Sequence, residues 1–102
     1  MNTLDDLEKT IRSRIDADPT TSWTAKLLSL GPDKAAEKFG EEAVEAIIEA
    51  VKGDRAALTK EAADVLYHLL VLLASRDVRL KDVLDVLDRR QGTSGLDEKA
   101  SR

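Results

Sequence analysis

Residues 62–74 read Ala62-Ala63-Asp64-Val65-Leu66-Tyr67-His68-Leu69-Leu70-Val71-Leu72-Leu73-Ala74. No period of two runs through them, and they carry no hairpin turn signal, so the stretch reads as helix rather than strand. Its apolar residues fall on nearly every side of that helix, the pattern of a helix with neighbours all round. An aspartate and the chain's one histidine nevertheless sit inside it. A buried aspartate needs a cation, a hydrogen-bond donor or a metal as partner, so Asp64 is expected to have one.

The acids around this stretch come in two pairs of the same spacing. Glu61 and Asp64 lie at i, i+3, as do Glu42 and Glu45 upstream, where Glu41-Glu42-x-x-Glu45 stands. On a helix that spacing puts both carboxylates on one face, about a turn apart. Two facing helices would gather four carboxylates, and these cannot stay ionised together in a partly buried site without a cation.

The segments between and around these acids predict an all-α chain. Asn2 or Thr3 caps a first helix over about 4–15, with Asp5 and Asp6 in its first turn, where the helix dipole favours them. Asp18-Pro19 breaks it, and Ser22 caps a short helix from Trp23 to about Leu30, stopped by Gly31-Pro32. Asp33 is expected to cap a long helix over about 34–52, ended by Gly53; Asp54 then caps another over about 55–75. The tight Gly53-Asp54 link makes the two long helices an antiparallel hairpin. A last helix spans about 80–90. Residues 1–90 form one domain, and the polar tail from Gln91, rich in Gly and Ser, is expected to be disordered.

On the first long helix Val44, Ile47, Ile48 and Val51, with Gly40 and Ala43, share one face. Lys34, Lys38, Glu42, Glu45 and Glu49 form the opposite stripe. Beside them Glu37, Glu41, Glu45 and Glu49 recur every four residues, each like-charge pair costing about 0.2–0.5 kcal/mol. Taken alone, this helix fits a solvated acidic face as well as a ligand set. The second helix decides for a metal, because Glu61, Asp64 and His68 share a stripe on an otherwise apolar cylinder.

Oxygen ligands without sulfur select Mg²⁺ or Mn²⁺. A di-iron carboxylate bundle needs Glu-x-x-His on two helices, and this chain has Glu-x-x-Asp and a single histidine. His68 reads as a core or supporting residue, able to orient Asp64 or a water, rather than as a ligand. Lys34 and Lys38 fit i, i+4 surface pairs, but they also stand where ammonium groups can meet phosphates beside a metal, and the second reading is preferred.

Composition narrows the partners. A net charge of -4 argues against nucleic acid and anionic membranes. With no cysteine, disulfides and thiolate zinc sites are excluded. The start, MNTLDDLEKT, lacks a signal-peptide layout, and the apolar run is shorter than the ~20 residues of a membrane span. A cytoplasmic protein is expected. At 102 residues the chain also stands to gain from oligomerisation. The apolar surface of the hairpin predicts a homo-oligomer, most simply a dimer, in which two hairpins complete a four-helix-bundle core.

Glu-Glu-x-x-Glu followed by Glu-x-x-Asp on a helical hairpin resembles the all-α, MazG-like nucleoside triphosphate pyrophosphohydrolases. Within them, Ser22-Trp23-Thr24, Leu27-Leu28, the Lys38-Phe39-Gly40-Glu41-Glu42-Ala43-x-Glu45 run and the Glu61–Leu73 run are similar to the phosphoribosyl-ATP pyrophosphatase family. The likeness runs from about Leu4 to Arg90. Trp23 replaces a usual Tyr, and Phe39 a usual Val or Ile.

The resemblance implies hydrolysis of phosphoribosyl-ATP to phosphoribosyl-AMP and pyrophosphate, the second step of histidine biosynthesis. Mg²⁺ on Glu42, Glu45, Glu61 and Asp64 would neutralise phosphate charge and activate water, and Glu41 or Glu45 would accept its proton. Lys34, Lys38, Ser22 and Thr24 are the expected substrate-binding residues. With no cyclohydrolase domain in the sequence, the following step is expected on a separate protein. Two other readings stay open: a general nucleoside triphosphate pyrophosphohydrolase that cleans the nucleotide pool, and a non-catalytic helical assembly module whose acids hold structural Mg²⁺.

Overall fold

A computed structural model describes residues 2–91, and among them five helices and no strand are found. The first, α1 (Thr3–Ser13), starts where Asn2 Oδ1 accepts the Leu4 N–H at 2.7 Å. It ends two residues before the expected Ile15, in a run of tight turns. Asp18 closes the following turn by accepting both the Thr20 N–H and its hydroxyl, and those two bonds hold its carboxyl below the usual range. α2 (Trp23–Ser29) is capped by Ser22, whose Oγ accepts the Ala25 N–H at 3.1 Å.

α3 (Pro32–Lys52) differs from expectation at its start. Asp33 is not its cap. Gly31, at a φ of 89° that favours glycine, makes the sharp entry, and Pro32 takes the first helical position, where its missing N–H costs nothing. Asp33 falls inside the first turn, where its charge meets the helix dipole. At the other end Gly53 adopts φ 79°, and Asp54 Oδ1 accepts the Ala57 N–H at 3.0 Å to start α4 (Arg55–Ser75). The expected hairpin follows directly from these two residues.

The core lies at one end of the hairpin. Leu70, Val71 and Ala74 of α4 pack with Ile11 of α1, Leu27 of α2, Ala35 of α3 and Leu80. Leu80 opens α5 (Leu80–Gln91), which takes in Gln91, the first residue assigned to the tail; the rest of that tail lies outside the described residues. The α4–α5 corner is strapped to α1. Arg12 donates to Asp77 Oδ1 at 2.9 Å and to the Val78 carbonyl at 3.0 Å, while Glu8 Oε2 accepts the Leu80 N–H at 2.6 Å.

The other end of the hairpin is bare. Val44, Ile47, Ile48 and Val51, the apolar face of α3, are exposed, as are Ala62, Ala63 and Leu66 of α4. It is the polar stripe of α3 that turns inward: Glu42 and Glu49 keep only 20% and 19% of their side chains exposed. Asp64 is exposed in the single chain, contrary to the burial that its apolar surroundings predict. The reason is geometric, since α1 and α2 reach only the far half of α4 and leave its first turns open. No helix of the described residues is long and apolar enough to cross a membrane.

Candidate metal and phosphate site

Where the bare half of the hairpin begins, Glu42, Glu45 and Glu61 each offer one carboxylate oxygen, and these three atoms lie within 4.8 Å of one another. The antiparallel arrangement set by Gly53-Asp54 brings the i, i+3 pair of α3 against the first of the α4 acids. Glu61 Oε2 is buried and has no hydrogen-bond partner. Burial, contact with the Glu45 carboxyl, and the charges of Glu45, Asp64 and Glu42, in that order, push the Glu61 carboxyl above its ordinary range.

An orphaned carboxylate oxygen facing two further carboxylates is the donor set a hard divalent cation fits. Asp64, the fourth expected ligand, stands a turn beyond Glu61, near enough for its charge to be felt there, but outside the group of three. Glu41 is exposed on the flank of the cluster.

The lysines of the α3 stripe do not reach the cluster. Lys34 Nζ lies 3.3 Å from Glu37, and Lys38 Nζ 3.2 Å from Glu41. Both pairs are substantially solvated, so each holds its partner weakly, and both ammonium groups can be drawn to a phosphate. The hydroxyls on α2 are already engaged. Ser22 Oγ caps its helix, and the Thr24 hydroxyl bonds the Tyr67 hydroxyl, which ties α2 to α4. His68, buried, places Nε2 4.0 Å from Glu42 Oε1.

Of the expected substrate-binding residues Ser22 also borders a groove along α2, whose other lining residues carried no expected role. Trp23, Lys26 and Leu30 line it with Pro19 and Thr20, around a volume of about 510 Å³. Trp23 is 53% exposed there. In the sequence the available signal was Trp23 and Lys26 three positions apart on one helix.

The family model described as phosphoribosyl-ATP pyrophosphohydrolase matches residues 4–91, and that span holds every acid of the site. The chain belongs to the phosphoribosyl-ATP pyrophosphohydrolase family. Relatives in that family are similar over nearly their whole length. A phosphoribosyl-ATP pyrophosphatase from Dinoroseobacter shibae is 72% identical over 102 residues, covering all of both chains. One from Paracoccus denitrificans is 73% identical over 96 residues, 94% of this chain and 89% of that one. One from a Ruegeria species is 71% identical over 102 residues, the whole of this chain and 97% of its own. The phosphoribosyl-ATP pyrophosphohydrolase match thus joins the hairpin and its acids to a single named activity.

Proposed function

We infer that the chain hydrolyses phosphoribosyl-ATP to phosphoribosyl-AMP and pyrophosphate, the second step of histidine biosynthesis, as a hydrolase of phosphorus-containing anhydrides. One observation carries the chemistry: three carboxylates within 4.8 Å, one with a buried oxygen that lacks a partner. The family match supplies the substrate. A polyphosphate and such a cluster repel unless divalent cations lie between them.

Glu42, Glu45 and Glu61, with Asp64 beside them, are the residues that would hold Mg²⁺ or Mn²⁺, which when bound neutralises phosphate charge and acidifies a water. The remaining steps fall to the chain itself. Lys34 and Lys38 leave their partial pairs with Glu37 and Glu41 to contact the phosphates, and Ser22 and Thr24 stand as further substrate contacts on α2. Freed from Lys38, Glu41 becomes available as a proton acceptor next to the cluster, and Glu45 is the alternative within it. Either one takes the proton of the water that attacks in line at the α–β phosphoanhydride bond, with pyrophosphate leaving.

The working unit is a homo-oligomer, most simply a dimer in which the bare halves of two hairpins cover each other. The exposure of Val44, Ile47, Ile48, Val51 and Leu66 in the single chain supports this. The compartment this reading assigns is the cytoplasm, where nucleotide-dependent biosynthesis runs.

Coupled detection of pyrophosphate decides between the readings. Release from phosphoribosyl-ATP is expected with Mg²⁺ or Mn²⁺ and absent in excess EDTA. Faster release from dUTP would point to a pool-cleaning enzyme, and no release from either would leave a structural module.

A further inference from the structure

The chain's single histidine has no part in the reaction as described, yet it is among the most constrained polar groups of the fold. His68 is 8% exposed. Its ring meets the Tyr67 ring edge-on, with centroids 4.9 Å apart and planes at 79°. Tyr67 is itself held by the Thr24 hydroxyl on α2. The imidazole is therefore fixed by packing from its own helix and, through Tyr67, from another.

Its two nitrogens have different surroundings. Nε2 faces Glu42 Oε1 at 4.0 Å, while Nδ1 is buried and has no hydrogen-bond partner. In the neutral ring one nitrogen carries the proton and the other a lone pair. A proton on Nδ1 would bury an unsatisfied N–H and turn a lone pair toward a carboxylate. A proton on Nε2 points a donor at that carboxylate and leaves an unpaired acceptor on the buried Nδ1. Nδ1 is unsatisfied in either tautomer, so the carboxylate decides, and it favours the second arrangement. The 4.0 Å separation exceeds a hydrogen bond, but Glu42 has three side-chain torsions and a small rotation brings its oxygen into range.

We propose that His68 is a positioning residue for Glu42: its Nε2–H holds one carboxylate oxygen and leaves the other for the cation. The proposal rests on reading Glu42 as a metal ligand. Even turned inward, a glutamate side chain has three torsions and several staggered rotamers, and a divalent ion must select one of them. A rigid donor beside the carboxylate makes that selection beforehand. Partners of this kind are worth about 10–100-fold in metal affinity. A histidine that merely filled the core would change stability on substitution without changing affinity.

The test uses the full chain and Mn²⁺ alone, with binding followed by electron paramagnetic resonance, for wild type, His68→Leu and His68→Gln. The leucine variant is expected to bind Mn²⁺ about 10–100-fold more weakly. The glutamine variant, whose amide N–H can stand in for Nε2–H, is expected to recover most of that loss. Because the chain has one histidine, a long-range ¹H–¹⁵N spectrum of the wild type reports its tautomer without assignment. Nε2–H is expected, with a shift of that signal when Mg²⁺ is added. Wild-type affinity in His68→Leu, or an Nδ1–H tautomer, overturns the proposal while leaving the metal site standing. Failure of the wild type to bind Mn²⁺ overturns both. If the leucine variant does not fold, the tautomer and its response to Mg²⁺ decide.

Discussion

Replacing Ile47 with glutamate tests whether the bare half of the hairpin is an interface. In the single chain Ile47 is 61% exposed, so the substitution should alter its own fold by no more than the ~0.5 kcal/mol usual for surface positions. In an assembly the outcome differs. Full burial of an isoleucine contributes about 1.5–3 kcal/mol, so the part of Ile47 left open in the chain is worth about 1–2 kcal/mol per copy. Twofold symmetry doubles this to about 2–4 kcal/mol, or about 30- to 1000-fold in Kd, before any cost of burying two carboxylates.

Val44, Ile47, Ile48, Val51 and Leu66 together leave roughly three side chains' worth of apolar surface open on each protomer, about 9–17 kcal/mol per dimer on the same scale. That is comparable to the ~4–15 kcal/mol that association costs, so the loss of one residue from the strip is enough to shift the equilibrium. Sedimentation velocity over a concentration series is the assay. Wild type should run as a multiple of 11.2 kDa and the variant increasingly as single chains on dilution, with helix content unchanged. A fully active wild-type monomer, or a variant that sediments like wild type, would refute the reasoning.

The site makes three further predictions. Glu42→Gln and Asp64→Asn should each lower turnover by at least about 100-fold, beyond the range for loss of a mere supporting partner, with circular dichroism unchanged; wild-type rates in both would make the acids structural. Lys38→Ala should raise KM by about tenfold or more, the scale of a charge-assisted contact of about 1.5–3 kcal/mol, and an unchanged KM would return Lys38 to its surface pair with Glu41. The third concerns pH. The folded Glu61 carboxyl lies above its ordinary value of 4.5, so in metal-free protein the folded state holds a proton the unfolded chain has released. Its contribution to stability is therefore present below 4.5 and lost as pH rises through the folded value. Thermal melts without metal should fall across that window, Glu61→Gln should flatten the fall, and added Mg²⁺ should reverse it; a wild-type profile identical to that of the glutamine variant would count against the assignment.

The features legible in the sequence are those whose causes lie within a few residues. Asn2, Ser22 and Asp54 cap their helices with bonds to N–H groups two or three positions on, and Gly53 ends α3 by adopting a φ that glycine favours. The same locality made the acid cluster legible: i, i+3 spacing fixes each pair, and a short turn fixes the antiparallel partner. Asp33, expected to cap α3, does not, because Gly31 and Pro32 compete for the same helix start and win it through backbone geometry alone. The strap from Arg12 to Asp77 spans 65 positions and left no local trace. The orientation of α3 was hidden for a different reason. Amphipathicity says which side of a helix is apolar, and folding within one chain would turn that side inward. Here Ala35 is buried and Phe39, Ala43 and Ala46 are partly buried, and Glu42 and Glu49 share that inward side. Turning acids inward and valines and isoleucines outward is unfavourable for an isolated chain on both counts. The two costs have separate remedies, a cation for the first and a second copy for the second, so EDTA and the Ile47→Glu substitution should act independently on wild-type protein. Metal removal that also dissociated the assembly would show instead that one site serves both.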